Sequence, residues 1–185
     1  AVLIAKELNE KEEFCRNIEI AGILHDIGKL KLMKYLYSQD GLIVEQMKYV
    51  RQHTAQSYEM MRDAGYDEIL ANAVFHHHEN FDGSGYPDNL RGEDIPYMAR
   101  ILRVCDVFIA LTSKRVYRNA FDPKSALEIM IDEVGDYDMH VFLAFQRVVH
   151  RDVFQEGIAS LKEIRDERQL EPLKLFVKEM QHTGN

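Results

Sequence analysis

Apolar residues recur at helical spacing in the first part of the chain. Phe14 and Ile18 are four positions apart and fall on the same side of a helix. Asn9, followed three residues later by Glu12, has the arrangement of a capping box and predicts where this helix begins. Gly28 predicts where it ends, because glycine is frequent just past a helix.

The same periodicity continues through the rest of the chain. It predicts further helices over 44–65, 67–78, 96–118, 122–135, 139–149, 153–168 and 170–180. Asp67 is expected to cap its helix, and Asp122 with Pro123 to open another. The sequence contains no alternating pattern typical of strands and no internal repeat. We therefore predict an all-α protein with a core domain of residues 1–150 and C-terminal helices, 151–185, packed on it.

Composition limits the classes of protein that this chain can belong to. It has 185 residues, a formal net charge of −8 and 46% hydrophobic residues. This is the size of one domain, with no apolar run near the roughly 18 residues of a spanning helix. No signal peptide is expected. Cys15 and Cys105 lie in apolar helical patterns and favour a reducing, cytoplasmic compartment. The acidic balance argues against non-specific binding of nucleic acid.

Histidines and aspartates mark the candidate chemistry. His25 and Asp26 stand at the end of an apolar helix, where they can offer a nitrogen to one metal ion and a bridging carboxylate to a second. A buried histidine beside a capping aspartate is the alternative. Three consecutive histidines, His76, His77 and His78, are hard to explain by packing, although a solvated polar turn would also contain them. They indicate metal binding.

Two further residues are ambiguous in isolation. His53, taken alone, is more typical of an ordinary surface or core histidine than of a ligand. Asp106 lies in a stretch that is apolar on nearly every side, where an unpaired carboxylate costs several kcal/mol. Asp106 must therefore be protonated, bind a cation, or pair with Arg103 three residues earlier.

Taken together, the candidate ligands are four imidazoles and two carboxylates. They are His25, Asp26, His53, His77, His78 and Asp106. This mixture suits Fe, Mn or Zn better than Mg or Ca, which prefer oxygen ligands. Two divalent ions carry more positive charge than two aspartates neutralise. A phosphodiester anion and a hydroxide would balance the excess. The set indicates a two-metal phosphoesterase, in which the ions activate water and hold the phosphoryl oxygens.

Cationic and loop residues near these ligands extend the hypothesis to the substrate. Lys29 would overhang the site if helical geometry persists to that position, or else it complements a helix end. Arg115 and Arg118 share a predicted helix face and could grip phosphate, although a solvated face explains most such pairs. Gly-Ser-Gly at 83–85 allows backbone to approach a ligand, and Tyr86 can present its ring or hydroxyl.

These motifs together resemble those of the HD-GYP phosphodiesterases, a branch of the HD superfamily of metal-dependent phosphohydrolases. The matching segments are 25–29 (His-Asp-Ile-Gly-Lys), 47–48 with His53, 77–87 (His-His-Glu-Asn-Phe-Asp-Gly-Ser-Gly-Tyr-Pro), 90–96, 99–108, 110–115 and 117–118. Their order and spacing hold over about residues 20–150. The resemblance implies an HD-superfamily helical bundle with a Gly-Tyr-Pro loop.

The resemblance implies hydrolysis of cyclic di-GMP to linear pGpG, and in some members on to GMP, at a centre that often contains iron or manganese. Carried over by position, the six candidate ligands bind metal, with Asp26 bridging. Lys29 meets the scissile phosphate, so Asp26 and Lys29 are the expected catalytic residues. Arg115 and Arg118 hold substrate phosphate, and Tyr86 helps to shape the guanine or partner-binding surface.

The chain departs from the family pattern at several positions. The family has a further Glu and His upstream of the His-Asp pair, at a spacing that falls before Ala1. A truncated N-terminal helix and two metals rather than three are therefore expected. Ile109 replaces a common Asp three residues after Asp106 and removes an expected hydrogen-bond acceptor. The remaining departures are at 32–37, Val116 and Asp138-Met139.

The resemblance further implies partners and leaves two other functions open. A sensor or receiver domain is expected before Ala1, and the Gly-Tyr-Pro loop is an expected surface for GGDEF-type or other signalling proteins. A non-catalytic receptor for cyclic dinucleotides would keep the motifs without turnover. An enzyme acting on 3′,3′-cyclic GMP-AMP would keep the chemistry with another substrate. No family role attaches to His76.

Overall fold

The computed structural model describes residues 1–36, 50–114, 119–151 and 154, and the regular elements in these ranges are helical. In chain order, the α-helices are α1 (Val2–Glu7), α2 (Glu12–Leu24), α3 (Lys29–Leu36), α4 (His53–Asp63), α5 (Glu68–Phe75), α6 (Tyr97–Thr112), α7 (Pro123–Asp132) and α8 (Met139–Val149). Single 3-10 turns lie at Gly92–Asp94 and Val134–Asp136. The all-α prediction is confirmed.

Helix α6 lies at the centre of a compact unit that spans Ala1–Gln146. It packs against α2, α5 and α7, while α5 also packs against α2 and α4. Ile101, Val104 and Phe108 of α6 are at most 1% exposed, and burying a side chain of this class contributes about 1.5–3 kcal/mol. Ala71 of α5 is fully buried as well. The core thus fixes α5 and α6, on which the candidate ligands at 77, 78 and 106 depend.

The predicted helix start at Asn9 is wrong. Val2–Glu7 form a separate helix, α1, and Asn9 has a positive φ of 60° in the turn that follows it. Helix α2 then begins at Glu12, with Lys11 as the flanking residue and no side-chain cap. A local capping pattern carries no information on whether the preceding residues form a helix of their own.

The helix starts predicted at Asp67 and Asp122 are confirmed. Asp67 Oδ1 accepts from the Ile69 N–H at 2.7 Å. Asp122 Oδ1 accepts from the N–H groups of Lys124 and Ser125 at 3.0 and 3.1 Å. These carboxylates satisfy donors that the first turn of a helix leaves without a partner, and such a cap contributes about 0.5–2 kcal/mol.

Helix α6 is shorter at its C-terminal end than the pattern predicts. It ends at Thr112, because Ser113 turns into extended backbone, and Pro96 precedes its first residue rather than lying in its first turn. Arg115 and Arg118 lie outside the described residues. The other predictions outside them are residues 44–49 of the helix at 44–65, the altered position at 37, Val116, and the helices at 153–168 and 170–180 apart from Phe154.

A helix that spans a membrane must be both long and apolar. Among the residues that the structure describes, no helix is both long enough and apolar enough to cross a bilayer. The apolar positions of α6 instead face the protein core, with Met98, Ala99 and Leu102 buried along with the residues named above.

Candidate metal centre

The six candidate ligands come from four parts of the fold. His25 and Asp26 lie in the turn after α2, His53 is the first residue of α4, His77 and His78 follow α5, and Asp106 lies within α6. Contacts between α2, α4, α5 and α6 bring these parts to one place. The distances between ligand atoms divide the six side chains into a buried inner group and a more open outer group.

Three of the imidazoles are oriented in the same way by main-chain carbonyls. The Nδ1 atoms of His25, His53 and His77 lie 2.7, 2.6 and 2.5 Å from the carbonyl oxygens of Gly22, Val50 and Val74. A carbonyl oxygen can only accept, so Nδ1 carries the proton in each ring. In the neutral ring Nε2 is then a lone pair, and this pairing is typical of histidines that bind metal through Nε2.

The inner group consists of Asp26 Oδ1, His53 and His77, whose acceptor atoms face one another. His53 Nε2 lies 3.4 Å from His77 Nε2 and 3.1 Å from Asp26 Oδ1. Both histidine side chains are at most 1% exposed, and Asp26 Oδ1 is buried without a hydrogen-bond partner. Acceptors this close repel unless a cation lies between them. With His78, the ligand atoms of Asp26, His53 and His77 all lie within 4.8 Å of one another.

The outer group consists of His25, Asp106 and the second oxygen of Asp26. His25 Nε2 lies 3.3 Å from Asp26 Oδ2 and 3.9 Å from Asp106 Oδ1, and His78 Nδ1 lies 3.7 Å from Asp106 Oδ2. Lys29 Nζ lies 2.5 Å from Asp26 Oδ2. The two oxygens of Asp26 therefore face different groups, as a bridging carboxylate requires.

The outer group opens onto a cavity of about 680 Å³. His25, Asp26, Lys29 and Asp106 line one part of it, and Ile109 lines another. Ile109 is 52% exposed, in a position where a carboxylate would lie near Asp106. The cavity is large enough for a small organic ligand of nucleotide size.

The loop that carries Tyr86 covers the other side of His78. The rings of Tyr86 and His78 are stacked, with centroids 4.8 Å apart and planes at 24°. The guanidinium carbon of Arg51 lies 4.8 Å from the centre of the Tyr86 ring. Tyr86 thus lies against a candidate ligand, within reach of a molecule bound at the centre.

A protein-family model described as the HD domain matches residues 1–141 of this chain. The chain belongs to the HD domain family. The predicted resemblance to the HD superfamily of phosphohydrolases is confirmed by this match and by the curated relatives. The HD domain also accounts for the helical architecture, in which separate helices bring the histidines and aspartates together.

Curated relatives of this HD domain are named as cyclic dinucleotide phosphodiesterases. The cyclic di-GMP phosphodiesterase response regulator RpfG of Xanthomonas campestris is 38% identical over 138 residues, 73% of this chain and 36% of the relative. Cyclic di-GMP phosphodiesterase PA4108 of Pseudomonas aeruginosa is 33% identical over 80% of this chain and 36% of its own length. The 3′3′-cGAMP-specific phosphodiesterase 1 of Vibrio cholerae is 33% identical over 75% and 33%. The chain thus spans about a third of these relatives.

Solved structures share the fold of this HD domain. A cyclic GMP-AMP-specific phosphodiesterase of Vibrio cholerae, V-cGAP3, superposes with a TM-score of 0.64 at 17% identity, over 84% of this chain and 43% of that chain. Bd1817, an HDG"Y"P protein from Bdellovibrio bacteriovorus, gives a TM-score of 0.63 at 18% identity, over 80% and 48%. At these identities the likeness concerns the fold alone.

The protonation states of the candidate ligands suit a divalent transition metal. Burial lowers the pKa of His77 to about 3, and burial, with the nearby His77 and His53, holds the pKa of His78 well below its usual range. Burial alone would raise the pKa of Asp26, but its interactions with His25 and Lys29 outweigh burial and lower that pKa well below its usual range. Neutral imidazoles and an ionised carboxylate are the forms that bind such metals.

His25 differs from His77 and His78 in the direction in which its pKa is shifted. Burial lowers this pKa, but hydrogen bonding to Asp26 and the charges of Asp26 and Asp106 outweigh burial and raise it. A cation in the outer group would compete with that proton, because a metal ligand must give up its proton to bind.

Ser57 joins two ligand-bearing parts of the HD domain, and no sequence motif singles it out. Its hydroxyl accepts from the Gly28 N–H at 2.8 Å and donates to the His25 carbonyl oxygen at 2.9 Å, and the residue is fully buried. A Cβ at Gly28 would collide with the backbone of α4 at His53 and Ser57. The turn that carries His25 and Asp26 is therefore docked closely on α4, a contact that only the folded chain reveals.

The local alternative for Asp106, an ion pair with Arg103, is not what the HD domain shows. Arg103 Nε donates to Asn80 Oδ1 at 2.8 Å, and its Nη2 lies 4.0 Å from Asp136 Oδ2. Asp106 instead faces the histidines of the centre, with its side chain 25% exposed. Its position in an otherwise apolar stretch is explained by those neighbours.

Proposed function

We propose that this HD domain is the core of a metal-dependent phosphodiesterase that hydrolyses cyclic di-GMP to pGpG, with GMP as the product of any second hydrolysis. The observation that carries the proposal is the inner group, in which the Nε2 atoms of His53 and His77 and Asp26 Oδ1 face one another. The names of the curated relatives support a cyclic dinucleotide as the substrate class.

Two divalent transition-metal ions are proposed, with Fe or Mn first and Zn as the alternative. The proposed ligands are His53, His77 and Asp26 Oδ1 in the inner group, His25, Asp106 and Asp26 Oδ2 in the outer group, and His78 between them. A third ion would require the upstream Glu and His of the family pattern. When bound, such ions activate water and neutralise charge on the phosphoryl oxygens.

Lys29 is proposed to contact the scissile phosphate. Its side chain is 41% exposed, lines the same cavity as Asp106, and places the ammonium group 2.5 Å from Asp26 Oδ2. A cation fixed at the wall of a cavity stabilises negative charge that develops on a phosphoryl group. Asp26 therefore has two proposed tasks, because it bridges the two groups and also orients Lys29.

Other residues are proposed to bind the rest of the substrate. Tyr86 can donate a hydrogen bond to substrate, because its phenol is protonated at neutral pH, and burial raises its pKa further, to about 12. Arg115 and Arg118 remain proposed phosphate-binding residues, on the family pattern alone. The family pattern also supports two proposed partners: GGDEF-type or other signalling proteins at the Gly-Tyr-Pro loop, and a regulatory domain before Ala1. A cytoplasmic location is proposed on the cysteine pattern.

A second substrate is supported by the names of relatives. The 3′3′-cGAMP-specific phosphodiesterase 1 of Vibrio cholerae is as identical to this chain as the cyclic di-GMP phosphodiesterase PA4108, at 33% each. The two substrates share the phosphodiester that the centre would attack and differ in one base. We therefore propose 3′,3′-cyclic GMP-AMP as the alternative substrate.

The test combines metal analysis with product analysis. The protein is purified without oxygen, reconstituted with Fe²⁺ or Mn²⁺, and its metal content is measured; we expect roughly two ions per chain. The loaded protein is then incubated with cyclic di-GMP and, separately, with 3′,3′-cyclic GMP-AMP. We expect linear products from at least one of them, and none after chelation. Asp106→Ala should lose metal and activity together while keeping its helix content.

Three results would contradict parts of this proposal. Protein that stays free of metal after anaerobic reconstitution would contradict the metal centre. Metal-loaded protein that binds a cyclic dinucleotide without opening it would indicate a receptor in place of an enzyme. An Asp106→Ala variant that keeps its full metal content would remove Asp106 from the outer group.

A further inference from the structure

His76 is the histidine of the triple run that does not join the candidate ligands, and its ring is held on both sides. Its Nδ1 lies 3.0 Å from the carbonyl oxygen of Asn72, and its Nε2 lies 3.0 Å from Asp88 Oδ2. The residue is 8% exposed, and its ring packs edge-on against Phe75. Both polar partners are oxygen atoms that accept hydrogen bonds. His76 therefore joins the end of α5 to the loop that follows Tyr86.

Asp88 is held by a second contact from the same turn. Its N–H donates to Glu79 Oε1 at 2.7 Å, and Glu79 is 1% exposed. Glu79 follows directly after His78, so the loop is attached to the ligand-bearing turn on both sides of the candidate ligands. A buried carboxylate that accepts a main-chain N–H is a strong contact, because the acceptor carries charge.

The loop residues before Asp88 are equally constrained. The Tyr86 N–H donates to the His78 carbonyl oxygen at 3.2 Å. Gly85 lies so close to the backbone of Glu79 and Asn80 that a Cβ there would collide with it. Tyr86 is thus attached through its own backbone on one side and through Asp88 on the other.

We propose that His76 and Asp88 are positioning residues that hold the Tyr86 ring against His78, and so shape one wall of the substrate site. The Tyr86 ring is the part of the loop that meets the centre, with His78 stacked on it and Arg51 4.8 Å from its centre. A loop without the link from His76 to Asp88 would let this ring move away from His78. The claim about substrate rests on the proposed function, but the claim about the Tyr86 ring does not.

The position of the ring is tested first, without substrate. Protein with ¹³C-labelled tyrosine is compared by NMR as wild type, Asp88→Ala and His76→Phe, with the Tyr86 signal identified through Tyr86→Phe. We expect the Tyr86 signal to shift in both variants, because ring stacking on His78 changes. Asp88 has a side chain 53% exposed, so Asp88→Ala should fold even if His76→Phe does not. Asp63→Ala, on an exposed position of α4, is the matched control and should leave the signal unchanged.

The consequence for substrate is tested with metal-loaded protein. Loss of a hydrogen bond of this kind predicts a roughly three- to tenfold rise in KM for cyclic di-GMP in His76→Phe and Asp88→Ala, with kcat and metal content unchanged. Hydrolysis of bis(p-nitrophenyl) phosphate, which has no bases to contact the wall, should keep its kcat/KM. In a Tyr86→Ala background, the same substitutions should add no further rise in KM.

The outcomes separate this inference from the proposed function. A Tyr86 signal that does not move in Asp88→Ala overturns the inference, whether or not the protein is an enzyme. Metal lost from His76→Phe also overturns it, since His76 would then support the neighbouring ligand His77. If His76→Phe or Asp88→Ala raises KM as much in the Tyr86→Ala background as in the wild type, these residues do not act through Tyr86. Failure of wild-type protein to hydrolyse either substrate contradicts the proposed function, while the NMR result still decides the inference.

Discussion

The inner and outer groups of the candidate centre use the same residue types in different surroundings. In the inner group, His53 and His77 are fully buried, each ring is oriented by a main-chain carbonyl, and their Nε2 atoms are 3.4 Å apart. In the outer group, the side chains of His25 and Asp106 are each 25% exposed and 3.9 Å apart at their nearest ligand atoms. The histidines of the first arrangement are buried, whereas the second opens to the cavity.

Because the two groups differ in burial, one centre can hold metal tightly and still admit substrate. A cation in the inner group would replace repulsion between buried acceptors, so it should bind tightly. A cation in the outer group would exchange with solvent more readily and would have room for a phosphate oxygen as a ligand. Asp26 links the two, because Oδ1 faces His53 while Oδ2 faces His25 and Lys29.

The largest expected effect comes from removing one histidine from each group. His53→Gln should lower metal affinity and activity by roughly a thousandfold, because it removes a proposed buried ligand outright; changes to residues that only orient a ligand typically cost 10–100-fold. His25→Gln should lose the more weakly held ion and keep the other. Metal titration of both variants checks this. Equal loss of both ions in the two variants would show that the groups do not differ.

A smaller effect is expected from Lys29→Gln. Removing a cation that stabilises transition-state charge costs roughly 10²–10³-fold in kcat, so we expect a fall near the lower end with metal content unchanged. Steady-state kinetics with cyclic di-GMP measures it. Lys31→Gln is the matched control, since Lys31 lies two residues away with its nearest carboxylate, on Glu59, at 3.9 Å. A normal kcat in Lys29→Gln would exclude Lys29 from the reaction.

Ser57→Ala tests whether Ser57 holds the turn of His25 and Asp26, which carries residues of both groups, on α4. It leaves the buried Gly28 N–H without its acceptor, which costs about 1–3 kcal/mol in the free energy of unfolding. Chemical denaturation of the metal-free protein measures this loss. Ser125→Ala removes only a solvent-exposed hydrogen bond from the Ser125 hydroxyl to Asp122 Oδ2, and should change stability by less than about 0.5 kcal/mol. Similar stabilities for the two variants would mean that Ser57 does not hold the turn of His25 and Asp26 on α4.

The smallest effect should come from adding a hydrogen-bond acceptor beside the outer group alone. Ile109→Asp places a carboxylate one helical turn after Asp106, on the cavity wall, and should tighten the outer ion by up to about tenfold while leaving the inner ion unchanged. Calorimetric metal titration resolves the two. Ile131→Asp, at a similarly exposed position on α7, is the control. Tightening of both ions would show that the groups are coupled more closely than their geometry indicates.

Local signals predicted the parts of the fold that local interactions decide. Asp67 and Asp122 cap the helices that follow them, because a side chain and an N–H two or three residues away suffice for a cap. The same kind of signal failed at Asn9, where α1 takes up the preceding residues and leaves Asn9 in a turn. Periodicity could not predict the end of α6 at Thr112 either, because the helical pattern in the sequence continues beyond Thr112.

The candidate site divides in the same way. The histidine and aspartate motifs could be identified in the sequence, because each is a short run of unusual residues. Ser57 and the link between His76 and Asp88 could not, since their partners lie 29 and 32 residues away for Ser57 and 12 away for His76. Supporting contacts of this kind depend on helix packing, which no short motif encodes.

The opposed lone pairs of His53 and His77 also bear on how long the protein survives in a cell. Their repulsion exists only in the folded chain, so a chelator should lower the melting temperature and an added transition metal should raise it. A shortage of metal would enlarge the unfolded fraction that proteases degrade. The availability of the metal ion would then affect the amount of folded protein in the cell as well as its activity.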